Sequence, residues 1–211
     1  MPGQRGSGIV ECWPMRFPTT KNGEPLEQEG TPLDRQPLID LIKRDALKFG
    51  DFTLASGAKS KFYIDCRNVT LSAEGAAVIG RGILELLKDE KFDAVGGMTL
   101  GADPILAAVL TIAGIEKIPL RGFIVRKEAK GHGTGKLVEG PVKEGDRVVV
   151  VEDVSTTGGS AIKACEAVES AGAKVVHVVT ILDRLAGARA AFEAKGYKFS
   201  SLVTINDLGI E

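Results

Sequence analysis

The sequence predicts an α/β protein built on a parallel, doubly wound sheet flanked by helices. Three observations carry that expectation. Stretches of strand character alternate with stretches of helical periodicity along most of the chain, which is the pattern of repeated β-α-β units. Val148-Val149-Val150-Val151 is an unbroken β-branched run, as a strand covered on both faces requires. The chain has 211 residues, 44% of them hydrophobic, which suits one domain with a sizeable core. A formal net charge of −1 excludes a global bias toward nucleic acid or anionic membrane, and no apolar run approaches a membrane span.

Residues 1–33 stand apart, rich in Gly, Pro, Gln and charge, with Trp13, Met15 and Phe17 scattered without a period. They read as a disordered or weakly docked extension, a misassigned start codon being the other account. The features of a signal peptide are lacking. Residues 34–211 read as a single domain. Asp34 is a fair cap for a helix over 34–47, with Leu38, Leu41, Ile42 and Ala46 on one stripe and Gly50 ending it. A hairpin-like section follows, with strands at 52–54 and 62–65 and a turn around Ser56-Gly57. Ser72 caps a helix to about residue 88 that carries Val78, Ile79, Ile83, Leu86 and Leu87. A strand at 94–97 leads to Asp103-Pro104, an N-cap with proline at the first helical position, and a helix to Ala113.

The next strand, 122–125, precedes a polar, glycine-rich loop over about 127–137. Beyond the valine strand come a helix over 160–171, a strand over 175–182, a helix over 186–195 and a last strand over 199–205. Cys12, Cys66 and Cys165 are an odd, widely spaced set without metal-type pairing, so reduced thiols in a cytoplasmic protein are the simplest account, with Cys165 in the core. His177 falls inside a strand and reads as structural.

The chemistry concentrates where strands end, which is where doubly wound sheets bind ligands. Two carboxylates, Glu152 and Asp153, follow the valine run, and Val154-Ser155-Thr156-Thr157-Gly158-Gly159-Ser160 then opens a helix. First-turn N–H groups, hydroxyls and the helix dipole suit a phosphate monoester, and glycine lets the backbone come close. Glu152 and Asp153 would repel that phosphate, but they accept hydrogen bonds from a sugar diol. Phosphate plus diol describes a ribose 5-phosphate. No Gly-Lys-Ser/Thr follows the glycines, so this is not a Walker loop, and Gly96-Gly97 through Gly101 has the wrong spacing for a dinucleotide fingerprint.

The whole run from Val148 to Ser160 resembles the phosphoribosyl pyrophosphate (PRPP) motif of type I phosphoribosyltransferases. That resemblance implies the type I fold, with a small N-terminal hood region beside the sheet. A second run, Arg126-Lys127-Glu128-Ala129-Lys130-Gly131-His132-Gly133, taken alone would be a solvated charged loop. Beside a PRPP motif it resembles the mobile catalytic loop of orotate phosphoribosyltransferases. The resemblance implies that Arg126, Lys127, Lys130 and His132 bind pyrophosphate, with Lys130, His132 and Asp153 catalytic and Glu152 through Ser160 holding the rest of PRPP. It likewise implies orotate recognition by Thr156 and by Arg184, whose guanidinium suits a carboxylate.

Ser56-Gly57, Ser60 and Phe62-Tyr63 resemble the family's N-terminal signature. The match departs from some members at Ala55, where they carry lysine, and at Leu100-Gly101, where they carry Tyr-Lys. Other implications are Mg²⁺ as cofactor, held by substrate oxygens and water rather than by a dedicated carboxylate cage, and a homodimer whose loop reaches the neighbouring site. No nucleic-acid or membrane partner is expected. A phosphoribosyltransferase for another base and a non-catalytic PRPP-sensing regulator remain the alternatives.

Overall fold

The computed structural model describes residues 34–53, 59–128 and 136–210, all within the unit Leu33–Glu211. Its centre is a six-stranded sheet of order β5-β4-β3-β6-β7-β8, made of β3 (Ala94–Met98), β4 (Arg121–Val125), β5 (Val138–Glu139), β6 (Arg147–Ser155), β7 (Lys174–Asp183) and β8 (Phe199–Thr204). All neighbouring pairs are parallel except β4 with β5. The two-residue antiparallel edge strand β5 was not anticipated, because two residues carry no period. The sheet is therefore doubly wound and mostly parallel.

The valine run explains the layering. Successive side chains on a strand point to opposite faces. Val149 and Val151 join a core with Ile79 and Ile83 of α3 (Ala73–Leu86) and Ile105 and Val109 of α4 (Ala102–Ile115). Val148 and Val150 join a second core with Ala161, Cys165 and Val168 of α5 (Gly159–Ser170) and Phe192 of α6 (Ala188–Ala194). Cys66 and Cys165 are both free and buried. Among the described residues no helix is long and apolar enough to cross a membrane.

Two local expectations changed. The first helix is α-helical only over α1 (Gln36–Leu41), continues as a π-helical turn over Ile42–Ala46, and gives way at Leu47 to β1 (Leu47–Thr53). Pairing wins there. Leu47 lies opposite Ile64 of β2 (Lys59–Ile64), and Asp65 N–H donates to Ala46 O at 3.1 Å. The N-cap is Arg35, not Asp34, which lies one residue outside it, although Asp34 Oδ1 still accepts from Gln36 N–H at 3.0 Å. At α4 the N-cap is Gly101, not Asp103. The Asp103 carboxylate instead accepts from Thr99 Oγ1 at 2.6 Å, bracing the preceding loop. Ser72 caps α3 as expected, accepting from Gly75 N–H at 3.0 Å. The short α2 (Arg67–Thr70) links the β1–β2 hairpin to α3.

Candidate active site

Two adjoining cavities lie at the carboxyl ends of β3 and β6, sharing Glu152, Val154 and Ser160 as a common wall. One, of about 400 Å³, is wrapped by Ser155 through Ser160 with Lys163 at its side. Gly158 sits in the left-handed region at φ 77°, and a Cβ there would meet the Phe192 ring at 2.8 Å, so the turn needs glycine. Gly158 O accepts the N–H of Ile162, so the next residues wind into α5, where the first-turn N–H groups other than that of Ala161, which Glu152 takes, can meet an anion. Lys163 was not singled out from sequence. Its signal was the i+3 spacing from Ser160 on one helix face.

The other cavity, about 280 Å³, is lined by Tyr63 through Arg67, Met98 through Gly101, Lys127, Glu152 and Asp153. The Thr99–Leu100 peptide in its wall is cis. Burial pushes the Glu152 carboxyl up to about 8, with the neighbouring Asp153 charge adding to it and the Ala161 N–H opposing it. Burial also raises Asp153, against the N–H of Val154, which donates to its Oδ1 at 2.9 Å, and the more distant Arg67 charge. Among the described residues no salt bridge reaches either carboxylate. Both are thus left free to accept from a ligand.

The expected residues converge unevenly. Glu152 through Ser160 form the shared wall and the phosphate loop, and Lys127 reaches the second cavity. Arg126 lies in an adjacent groove, its Nη1 3.7 Å from Glu139 Oε1, where the unforeseen β5 places a carboxylate beside it. Lys130, His132, Ala55 and the Ser56-Gly57 turn fall outside the described residues. Arg184 follows β7 directly. Its N–H donates to Ser155 O at 2.9 Å, while its guanidinium sits 5.0 Å from the Phe62 ring centroid of the hairpin. Asp65 and Arg67, joined at 2.8 Å, escaped notice because a short Asp-x-Arg spacing is common in turns.

A mostly parallel sheet with a Thr-Thr-Gly-Gly-Ser loop and a carboxylate couple without salt bridges at its strand ends suits the phosphoribosyltransferase class. A family model described as "Phosphoribosyl transferase domain" matches residues 70–204. An orotate phosphoribosyltransferase of Rhodopirellula baltica is 52% identical over 184 residues, covering 84% of this chain and 95% of that protein. Its counterpart in Thermosynechococcus vestitus is 51% identical, covering 82% of this chain and 92% of its own. The crystal structure of Mycobacterium tuberculosis orotate phosphoribosyltransferase in complex with PRPP superposes with a TM-score of 0.72 at 41% identity, covering 83% of this chain and 99% of that one. The chain belongs to the orotate phosphoribosyltransferase family.

Proposed function

We propose that this protein catalyses the reaction of orotate with PRPP to give orotidine 5′-monophosphate and pyrophosphate, in the de novo synthesis of UMP in the cytoplasm. The observation that carries the proposal is the shared wall, where a phosphate-wrapping loop and two carboxylates without salt bridges meet on one strand end. The relatives named above carry this activity in their names, and one was crystallised with PRPP.

In this reading the bond from the ribosyl C1′ to the pyrophosphate oxygen breaks, and a bond from C1′ to the orotate ring nitrogen forms with inversion. Thr156 through Ser160 anchor the 5′-phosphate, with Lys163 supplying a charge beside them. Glu152 and Asp153 accept from the ribose hydroxyls and hold the sugar while positive charge grows at C1′. Arg126, Lys127, Lys130 and His132 take the departing pyrophosphate. Arg184, stacked on Phe62 and tied by its backbone to the phosphate loop, pairs with the orotate carboxylate. Thr156 completes the orotate contact.

Mg²⁺ fits the donors present. Glu152 and Asp153 are hard oxygen ligands, while among the described residues no group of three or more His, Cys, Asp or Glu could hold a metal alone. Substrate oxygens and water would complete its shell. When bound, the ion neutralises charge on the leaving pyrophosphate. A homodimer in which the 127–137 loop reaches the neighbouring subunit belongs to the proposal and rests on the loop's resemblance.

The test is to follow orotate absorbance after PRPP and Mg²⁺ are added to purified protein. PRPP-dependent loss of the orotate signal with stoichiometric pyrophosphate release is the expected outcome. No change in a protein that still binds PRPP would overturn the orotate assignment, and a panel of bases would then separate a different transferase from a regulator.

A further inference from the structure

The 280 Å³ cavity carries an electrostatic imbalance. Asp65, Glu152 and Asp153 line it, against Arg67 and Lys127 as the cationic side chains among the described residues. A diphosphate entering there needs donors, and the Thr99–Gly101 wall cannot provide a charged side chain at its last position. A Cβ on Gly101 would meet Asp153 Oδ1 at 2.8 Å, so a longer residue there would displace the carboxylate.

Arg67 is placed to fill that need. Its Nε donates to Asp65 Oδ1 at 2.8 Å and its Nη2 to Asp65 Oδ2 at 2.9 Å. Asp65 Oδ1 also accepts the Arg67 backbone N–H at 3.1 Å, and Asp65 N–H is anchored on Ala46 O. A guanidinium has five N–H donors in a fixed fork, so this clamp leaves three of them unused. The Arg67 side chain is 50% exposed, so those donors remain reachable. Arg67 lines the second cavity and not the phosphate-loop cavity, which places it at the other end of a substrate lying across the shared wall.

We infer that Arg67, oriented by Asp65, is a pyrophosphate-binding residue of this site, supplying from the hairpin side the charge that the Gly101 wall cannot carry. The inference rests on the PRPP reading proposed above. Asp65 is a positioning residue, because it acts on the diphosphate only through Arg67.

The test is calorimetric binding of Mg²⁺-pyrophosphate to the full-length protein, with ribose 5-phosphate as the second ligand. Arg67→Gln is expected to weaken pyrophosphate about tenfold or more, the usual scale for losing a charge-assisted contact, and to leave ribose 5-phosphate within about twofold. Asp65→Asn is expected to give a smaller, equally selective loss. Unchanged pyrophosphate affinity in Arg67→Gln, or equal losses for both ligands, would overturn the inference. If Arg67→Gln does not fold, Arg67→Met, which also removes the charge, is read with the same two ligands and the same criteria. A wild-type protein that binds pyrophosphate but leaves orotate unconverted removes the orotate assignment and keeps this measurement readable. One that binds no pyrophosphate overturns the inference itself.

Discussion

Two glutamates at opposite ends of the same sheet meet opposite fates. Glu90, ahead of β3, lies at the amino ends of the strands, where Lys198 Nζ donates to its Oε2 at 2.6 Å and Arg147 Nη2 stands 3.7 Å from its Oε1. Lys198 above all holds its carboxyl below the usual glutamate range, against the opposing effect of burial. His177, its side chain 3% exposed, packs between this carboxylate and Ser200 Oγ, as a structural histidine should. Glu152, at the carboxyl ends, is pushed up to about 8 by burial with Asp153 beside it. At one end the fold pairs its carboxylate with cations; at the other it leaves two without a salt bridge among the described residues, holding only backbone N–H groups. Stability is given up where the ligand binds, as functional sites commonly require.

The comparison can be broken at either end. The largest effect is expected at Asp153. Asp153→Asn should lower kcat/KM for PRPP on the order of 100-fold to 1,000-fold, measured by initial rates, as losing one preorganised electrostatic group does. An effect below tenfold would show that the couple does not hold the reacting ribose. Next comes Arg184→Ala, expected to raise the orotate KM about 10-fold to 100-fold, with the PRPP KM nearly unchanged. Equal shifts in both constants would break the link between β7 and the base.

Smaller effects concern stability and follow from the two pKa directions. A carboxyl raised by folding keeps its proton in the native state after the unfolded chain has lost it, so unfolding releases a proton and stability falls as pH rises. For Glu152 that window runs from the ordinary glutamate range up to about 8. Glu152→Gln should therefore raise the melting temperature of the ligand-free protein at pH 8 by about several degrees and hardly at all at pH 4, while weakening PRPP. A uniform shift across pH would refute the assignment. Glu90 has the reverse sign. Its contribution is present above the ordinary glutamate range and disappears as pH falls through its lowered value. Glu90→Gln should cost about 0.5–1 kcal/mol near neutrality, with the loss fading in acid and the turnover unchanged.

Much of the site was legible from the chain because local chemistry and ligand chemistry coincide there. A β-branched run, two acids and a hydroxyl-glycine loop form a phosphate site through backbone geometry that short-range rules predict, and the structure places all of them on one strand end. Arg184 was named only through the family resemblance, and the structure places it directly after the buried strand β7. Three features were not legible. Arg126 beside Glu139 depends on an edge strand too short to show a pattern. Asp103 turns to Thr99 instead of capping α4, a choice between two partners equally near in sequence. Arg67 becomes relevant only when the hairpin sets Asp65 against Ala46 beside the cavity.

By itself, then, the sequence determined the parallel sheet, its two apolar faces and the phosphate loop, because each depends on periodicity, side-chain branching and turn chemistry over a dozen residues. The tertiary structure decided which carboxylates go unpaired, which arginines face the cavity, and why Gly101 carries no side chain. Those outcomes depend on groups far apart in the chain being buried together, where desolvation and a single nearby charge outweigh any local preference.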